Sequence, residues 1–116
     1  MNDTIEPHKY DGMSDFDAYQ LQAKKTAIYP KSEGLVYTAL GLANESGEYI
    51  GKLKKFIRDG FFDDKAAADE LSDVLWYLAM CAEELGYDLS EIAQMNLDKL
   101  KDRANRGVLS GNGDKR

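Results

Sequence analysis

The sequence has little cysteine and histidine, and each scarcity excludes a class of protein. A single cysteine, Cys81, cannot form a disulfide framework or a cysteine-based zinc site within one chain. A single histidine, His8, cannot supply the Glu-x-x-His pairs of di-iron helical bundles. Neither a GxxxxGK(S/T) nor a GxGxxG motif occurs, so a glycine-rich loop that cradles phosphate is excluded as well.

Long apolar runs are also missing. No stretch reaches the roughly 18 consecutive apolar residues of a membrane-spanning helix. The N-terminal residues lack a basic segment followed by an apolar run, which is the pattern of a secretory signal. Together with the scarcity of cysteine, these absences predict a reduced, cytoplasmic location with no membrane partner.

Basic residues are fewer than acidic ones, so the net charge is −6 and the isoelectric point is near 4.7. A protein that binds nucleic acid polymers needs a basic face, so that class is disfavoured. Nucleotides remain open as ligands, because a metal ion can reverse the local sign of an acidic pocket. The 116 residues fit one domain with a modest core, which makes pairing with a second copy plausible.

Apolar residues recur at helical spacing, which predicts a buried face on the second and third helices, and no segment alternates as a half-buried strand does. We therefore predict an all-α, four-helix bundle. Ser14, Asp63 or Asp64, and Ser90 are the expected N-caps, and Gly60 and Gly86 follow helix ends. The expected segments are a loose arm at 1–13, helices at about 14–29, 32–58, 64–85 and 91–105 within a single domain at 14–105, and a Gly-rich tail at 106–116.

Two pairs of carboxylates carry the most informative chemistry. Glu45 and Glu48 are three residues apart in the second helix, and Glu70 and Asp73 are three apart in the third. A short loop between antiparallel helices would bring the pairs together, where like charges repel unless a cation neutralises them. Oxygen ligands favour Mg²⁺, with Mn²⁺ as the alternative. The competing interpretation is a solvated helix surface whose acids pair with lysines.

The strings GLANESGEYIGKLKKF and DELSDVLWYLAMCAEELG resemble the MazG-like all-α nucleoside triphosphate pyrophosphohydrolase family. The family signature is Glu-Glu-x-x-Glu, a spacer, and Glu-x-x-Asp. Glu45 and Glu48 match its second and third glutamates, Glu70 and Asp73 match the distal pair, and Asn44 stands at the first position. The resemblance implies Mg²⁺-dependent conversion of a triphosphate to the monophosphate and pyrophosphate, in nucleotide-pool house-cleaning.

The same resemblance implies roles for individual residues. The implied metal ligands are Glu45, Glu48, Glu70 and Asp73, and Glu45 and Glu48 are the catalytic candidates, with Glu45 the better base because Asn44 replaces the first glutamate. Helix four contains NLDKLKDRANRG, which is similar to the family's Asn-x-x-Lys-Leu-x-x-Arg segment. The implied substrate contacts are Tyr77, Asn96 and Lys99, with Lys52 and Lys55 open to an alternative role as surface ion pairs.

The resemblance also implies a homodimer or homotetramer, and a possible substrate lid for the tail, which composition alone predicts to be disordered. Arg103 and Arg106 fit either phosphate or carboxylates of a partner chain. The alternative prediction keeps the same site and changes the substrate to dUTP or a phosphoribosyl nucleotide. A non-catalytic acidic helical module that docks a basic partner is the remaining alternative. The preferred base, the number of metal ions and the pathway stay open.

Overall fold

The computed structural model describes residues 14–116, and the predicted arm at 1–13 lies outside the described residues. The described part contains helices and turns but no strand, which confirms the all-α prediction. The helices are α1 (Asp15–Lys24), α2 (Gly34–Asp59), α3 (Asp64–Leu85) and α4 (Leu89–Asn105), with a 3-10 turn at Lys31–Glu33 before α2. Within residues 14–116, no helix combines the length and the apolar character that crossing a membrane requires.

Helix α1 begins as predicted but ends earlier. The Ser14 hydroxyl accepts a hydrogen bond from the Asp17 N–H at 3.1 Å, which confirms the cap. The expected end near Tyr29 is wrong, because the helix stops at Lys24. The Thr26 hydroxyl donates to the Ala23 carbonyl at 2.7 Å, and such local side-chain bonds compete with the helical pattern. Tyr29 can then leave the helical path and enter the core.

The ends of α2 and α3 follow the predicted turn chemistry. Gly60, with φ of 74°, ends α2, and Gly86, with φ of 80°, ends α3. This left-handed conformation favours glycine because a Cβ would clash with the backbone. The Asp63 carboxylate accepts from the Ala66 N–H at 3.0 Å, so Asp63 caps α3. A short loop therefore joins α2 to α3, and the two pack along their length as a hairpin.

The predicted cap of α4 is wrong by two residues. The N-cap is Asp88, whose N–H donates to the Glu91 carboxylate at 2.9 Å. Ser90 has another function, because its N–H and its hydroxyl donate to the two Asp17 oxygens at 2.9 and 2.6 Å. Ser90 thus ties α4 to the start of α1.

The buried core lies where α1, α3 and α4 meet. Its fully buried members include Ala79 and Met80, both 0% exposed. Gln20 crosses this junction: its amide nitrogen donates to the Tyr87 carbonyl at 3.1 Å, and its oxygen accepts from the Leu89 N–H at 2.6 Å. The Trp76 indole donates to the Thr26 hydroxyl at 2.9 Å. The junction is therefore fixed by apolar packing together with satisfied polar groups.

Much of the predicted apolar stripe of α2 and α3 is exposed, which corrects the expectation that the chain buries it. On α2, Ile50 is 61% and Ile57 is 86% exposed. On α3, Leu71 is 48% exposed. The Cα radius of gyration is 17.0 Å, whereas a compact domain of this length has a radius of about 13 Å. The helices α1 and α4 contact α3, so the apolar face that α2 and α3 share has no cover among the described residues.

Candidate metal centre

A glycine sets how closely α2 and α3 approach at the site. A Cβ on Gly41 would lie 2.0 Å from a carbon of the Tyr77 ring, so only a residue without a side chain fits there. Gly41 therefore permits the close approach of the two helices. Gly47 and Gly51 face open space instead, so close approach does not explain them.

Carboxylates from both helices meet one to two turns beyond this contact. Glu45 on α2 and Glu70 and Asp73 on α3 can place one oxygen each within 4.8 Å of one another. Glu45 and Glu70 are half-buried, and Asp73 is exposed. Three of the four predicted ligands therefore lie together, at one rim of the α2–α3 hairpin.

Glu48 is not part of that carboxylate group, and its side chain is exposed. Residues three apart on a helix differ by about 60° around its axis, so Glu48 points to one side of Glu45. Its charge still acts on the site, since it contributes to the raised pKa of Glu45. Asn44, at the first motif position, is exposed on α2.

The electrostatics of the group are those of like charges held together. Desolvation raises the pKa of Glu45 most, and the negative charges of Asp73, Glu70 and Glu48 raise it further. One cation lies close: the Lys52 amine is 3.7 Å from a Glu70 oxygen. The group lacks the compensation that a structural ion-pair network would have, because one lysine faces several acids.

Two tyrosines that the sequence analysis had not assigned accompany this group. The pKa of Tyr19 on α1 is raised by burial and by the negative charge of Asp73. Tyr37 on α2 lies beside Tyr77, with ring centroids 6.5 Å apart. Burial raises the pKa of Tyr77 most, and Tyr37, Glu45 and Asp73 raise it further. Tyr37 stands one turn before Gly41, so helical spacing was an available signal for it. Tyr19 had no local signal.

The remaining predicted contacts lie farther from the carboxylates. Lys55 lines a cavity of about 230 Å³ beside the α2–α3 loop, together with Lys52, Asp59, Phe61, Asp63 and Ala66. Asn96 on α4 lines an apolar cavity of about 350 Å³ that includes Phe16 and Leu78. Lys99 forms an ion pair with Asp114 at 3.4 Å. Helix α4 packs on α1 and α3 and, among the described residues, not on α2.

The donor set fits a hard divalent cation. It offers carboxylate oxygens from two helices and neither histidine nor thiol, which matches the preference of Mg²⁺ or Mn²⁺. A cation there would relieve the repulsion that raises the pKa of Glu45. Together, the α-helical hairpin and its converging carboxylates define an all-α domain with a candidate cation site.

Comparison with known proteins identifies the family. A sequence model of the MazG nucleotide pyrophosphohydrolase domain matches residues 36–108, which include every carboxylate of the site. The Gene 37 protein of Mycobacterium phage L5 is 44% identical over 111 residues, an alignment that covers 86% of this chain and 97% of that protein. No solved structure matches the chain. The chain belongs to the MazG nucleotide pyrophosphohydrolase family, whose members are typically metal-dependent.

Proposed function

We propose that this chain is a Mg²⁺-dependent nucleoside triphosphate pyrophosphohydrolase that converts a ribo- or deoxyribonucleoside triphosphate to the monophosphate and pyrophosphate. The observation that carries the proposal is the convergence of Glu45, Glu70 and Asp73 on one rim of the hairpin. Family membership supports a nucleotide as the substrate. Bound Mg²⁺ supplies charge neutralisation for the polyphosphate and a lowered pKa for a coordinated water. The proposed role is removal of unwanted nucleotides from the pool.

The four carboxylates of the chain are proposed to have different roles. Glu45, Glu70 and Asp73 are proposed to hold the cation, and the exposed Glu48 is the proposed fourth ligand. Glu45 is also the proposed proton acceptor, because the amide of Asn44 at the first motif position cannot act as a base. Lys52 would exchange its contact with Glu70 for a phosphate oxygen once a cation neutralises that glutamate.

Substrate contacts are proposed from two parts of the molecule. The Tyr77 hydroxyl lies beside the carboxylates, and Lys52 and Lys55 share a cavity at the same end of the hairpin. Asn96 and Lys99 belong to α4, which does not contact α2 within the described chain. We propose that these two residues meet the substrate in an assembly of several copies.

The exposed apolar surface supports a homodimer or homotetramer. Large side chains such as Leu40, Ile50 and Ile57 are 66%, 61% and 86% exposed on α2 alone. Apolar area of this extent is costly in water and is normally covered by a partner. Sedimentation equilibrium should therefore give the mass of two or four protomers, and a stable monomer at micromolar concentration would contradict the proposal.

The substrate is tested with a panel of nucleotides in the presence of Mg²⁺. Each canonical ribo- and deoxyribonucleoside triphosphate, dUTP and a phosphoribosyl nucleotide are incubated with the chain, and monophosphate and pyrophosphate are quantified. Equal amounts of the two products from triphosphates would support the proposal. Turnover confined to dUTP or to the phosphoribosyl nucleotide would replace the substrate, and orthophosphate release would show cleavage of a different bond.

A panel without any turnover would contradict enzymatic function. It would favour a non-catalytic module that uses its acidic face to bind a basic partner. Repeating the panel with Mn²⁺ in place of Mg²⁺ separates a missing activity from a preference for the other cation.

A further inference from the structure

The C-terminal residues 106–116 fold back onto the end of α4. The Val108 N–H donates to the Arg103 carbonyl at 2.8 Å, which turns the chain at the helix end. The Arg116 guanidinium then donates to the carbonyls of Val108 at 3.0 Å, of Leu109 at 3.4 Å and of Gly113. Arg106 donates to the Arg116 carbonyl. These bonds close the tail into a loop that returns Asp114 to α4.

Asp114 bridges two cations of α4. One of its carboxylate oxygens lies 3.4 Å from the Lys99 amine and 3.2 Å from the Arg103 guanidinium. The same guanidinium nitrogen donates to the Asp114 carbonyl at 3.0 Å. The Arg103 side chain is 7% exposed, whereas the Asp114 side chain is 81% exposed. A buried cation is thus paired with an anion that stands almost wholly in solvent.

This arrangement is suited to an exchangeable anion. Lys99 and Arg103 are four residues apart, so one helix face presents both charges to one oxygen. An arginine this buried needs an anionic partner, because an unpaired buried charge is costly. Phosphate oxygens satisfy both cations as a carboxylate does. The carboxylate of Asp114 is open to displacement, because its side chain is 81% exposed and its pair with Lys99 is a weak surface pair.

We propose that Asp114 is an internal competitor for phosphate at Lys99 and Arg103, so that the tail must release this contact before a polyphosphate binds there. The proposal rests on the proposed function, which supplies a triphosphate substrate and a pyrophosphate product as ligands. Lys99 is already among the proposed substrate contacts, and the new assignment is the regulatory role of the tail, through the contact of Asp114 with Lys99 and Arg103. The lowered pKa of Asp114, caused first by Arg103 and then by Lys99, keeps the competitor ionised at neutral pH.

The test is calorimetric titration with inorganic pyrophosphate in EDTA, which removes cation-dependent binding at the carboxylate site. Asp114→Asn keeps the backbone bond to Arg103 and removes the competing charge. We expect it to bind pyrophosphate about fivefold more tightly than the unchanged chain, as release of a weak closed state predicts. Asp98→Asn is the matched control, because Asp98 lies beside Lys99 in sequence but its carboxylate bonds Gln94.

Three outcomes overturn the proposal: no binding to any variant, equal affinity for Asp114→Asn and the unchanged chain, or an equal gain in Asp98→Asn. If the Asp114 contact only holds the tail in place, its removal brings no gain of affinity. A gain confined to Asp114→Asn therefore supports competition. Adding Lys99→Met to Asp114→Asn should remove that gain. Circular dichroism melting of each variant shows that it is folded.

Triphosphate turnover on the same preparations separates this proposal from the proposed function. A gain in pyrophosphate affinity without turnover in the unchanged chain would leave the phosphate site standing and remove the hydrolase. Turnover in the unchanged chain without a gain in pyrophosphate affinity would support the hydrolase and overturn the competition by Asp114.

Discussion

The junction of α1, α3 and α4 and the carboxylate rim between α2 and α3 differ in how their polar groups are compensated. At the junction, Gln20 bonds backbone groups with both ends of its amide, and Met80 beside it is fully buried. At the rim, desolvation and then neighbouring acids raise the pKa of Glu45, and Lys52 is the nearby cation. Polar groups are satisfied by the chain in one region and left in mutual repulsion in the other.

The contrast shows where stability and function are divided in this small domain. Among the described residues, no buried side-chain nitrogen or oxygen lacks a hydrogen-bond partner, so the chain satisfies its polar groups wherever they are fully enclosed. Uncompensated charge concentrated at one half-buried place is typical of a site that awaits a ligand. Removing a rim carboxylate should therefore impair function and spare stability, and changes at the junction should do the opposite.

The largest expected effect is the loss of turnover in Asp73→Asn. Removing one ligand from a carboxylate site should lower kcat/KM on the order of 1,000-fold, since charge stabilisation at a reacting centre has this magnitude. Thermal unfolding should change little, because Asp73 is exposed and its neighbours repel it. Asp69→Asn is the control: it removes the same charge one turn earlier, where the partner is Lys65. Equal activity in the two variants would contradict the site.

Truncating the buried methionine of the junction should have the largest effect on stability. Met80→Ala leaves a cavity in a fully buried position and should lower the free energy of unfolding by about 3 kcal/mol. Met95→Ala changes the same residue type at a position that is 49% exposed, and should cost less than about 0.5 kcal/mol. Urea unfolding of both variants measures the difference. Similar costs would show that the junction is not the core.

Two glycines on α2 test how closely α2 approaches α3, the helix that the junction and the rim share. Gly41→Ala places a Cβ against the Tyr77 ring and should destabilise the fold by about 2 kcal/mol, as overpacking does. Gly47→Ala meets open space and should stabilise the helix by up to about 1 kcal/mol. Thermal melts that shift in opposite directions support the close approach, whereas a shift of both in the same upward direction would refute it.

The smallest expected effect is a pH dependence of stability from Glu45. Its pKa in the folded chain is raised, so the folded state binds more protons than the unfolded state between the unfolded and folded values. Stability of the cation-free protein should therefore fall as the pH rises through that interval. Glu45→Gln should reduce this slope. A slope unchanged by the substitution would assign the dependence to other groups.

Local chemistry made most of the fold predictable. Asp63, Gly60 and Gly86 end or begin helices for reasons contained in the residue itself. Prediction failed where distant residues intervene: Ser90 serves Asp17 rather than its own helix, and Tyr29 leaves α1 to join the core. The exposed stripe on α2 was predicted as buried because a period identifies an apolar face but not what covers it.

The candidate site was likewise predictable where it depends on local geometry. Spacing and a short loop brought Glu45 to Glu70 and Asp73, because both depend on the geometry of one hairpin. Glu48 was expected among them, yet three residues along a helix also turn a side chain away from its neighbour. The charge of Asp73 on α3 acts on Tyr19 of α1, a tertiary relation that no periodicity contains. Contacts of Asn96 and Lys99 with substrate stay predictions.

The central claim, that Glu45, Glu70 and Asp73 form one divalent-cation site, is tested most directly by titration with Mn²⁺ while electron paramagnetic resonance follows the free ion. The unchanged chain should bind Mn²⁺ in competition with Mg²⁺, and the affinity should fall at least about tenfold in Asp73→Asn and stay unchanged in Asp69→Asn. Absence of saturable binding, or equal affinities in the two variants, would contradict the account.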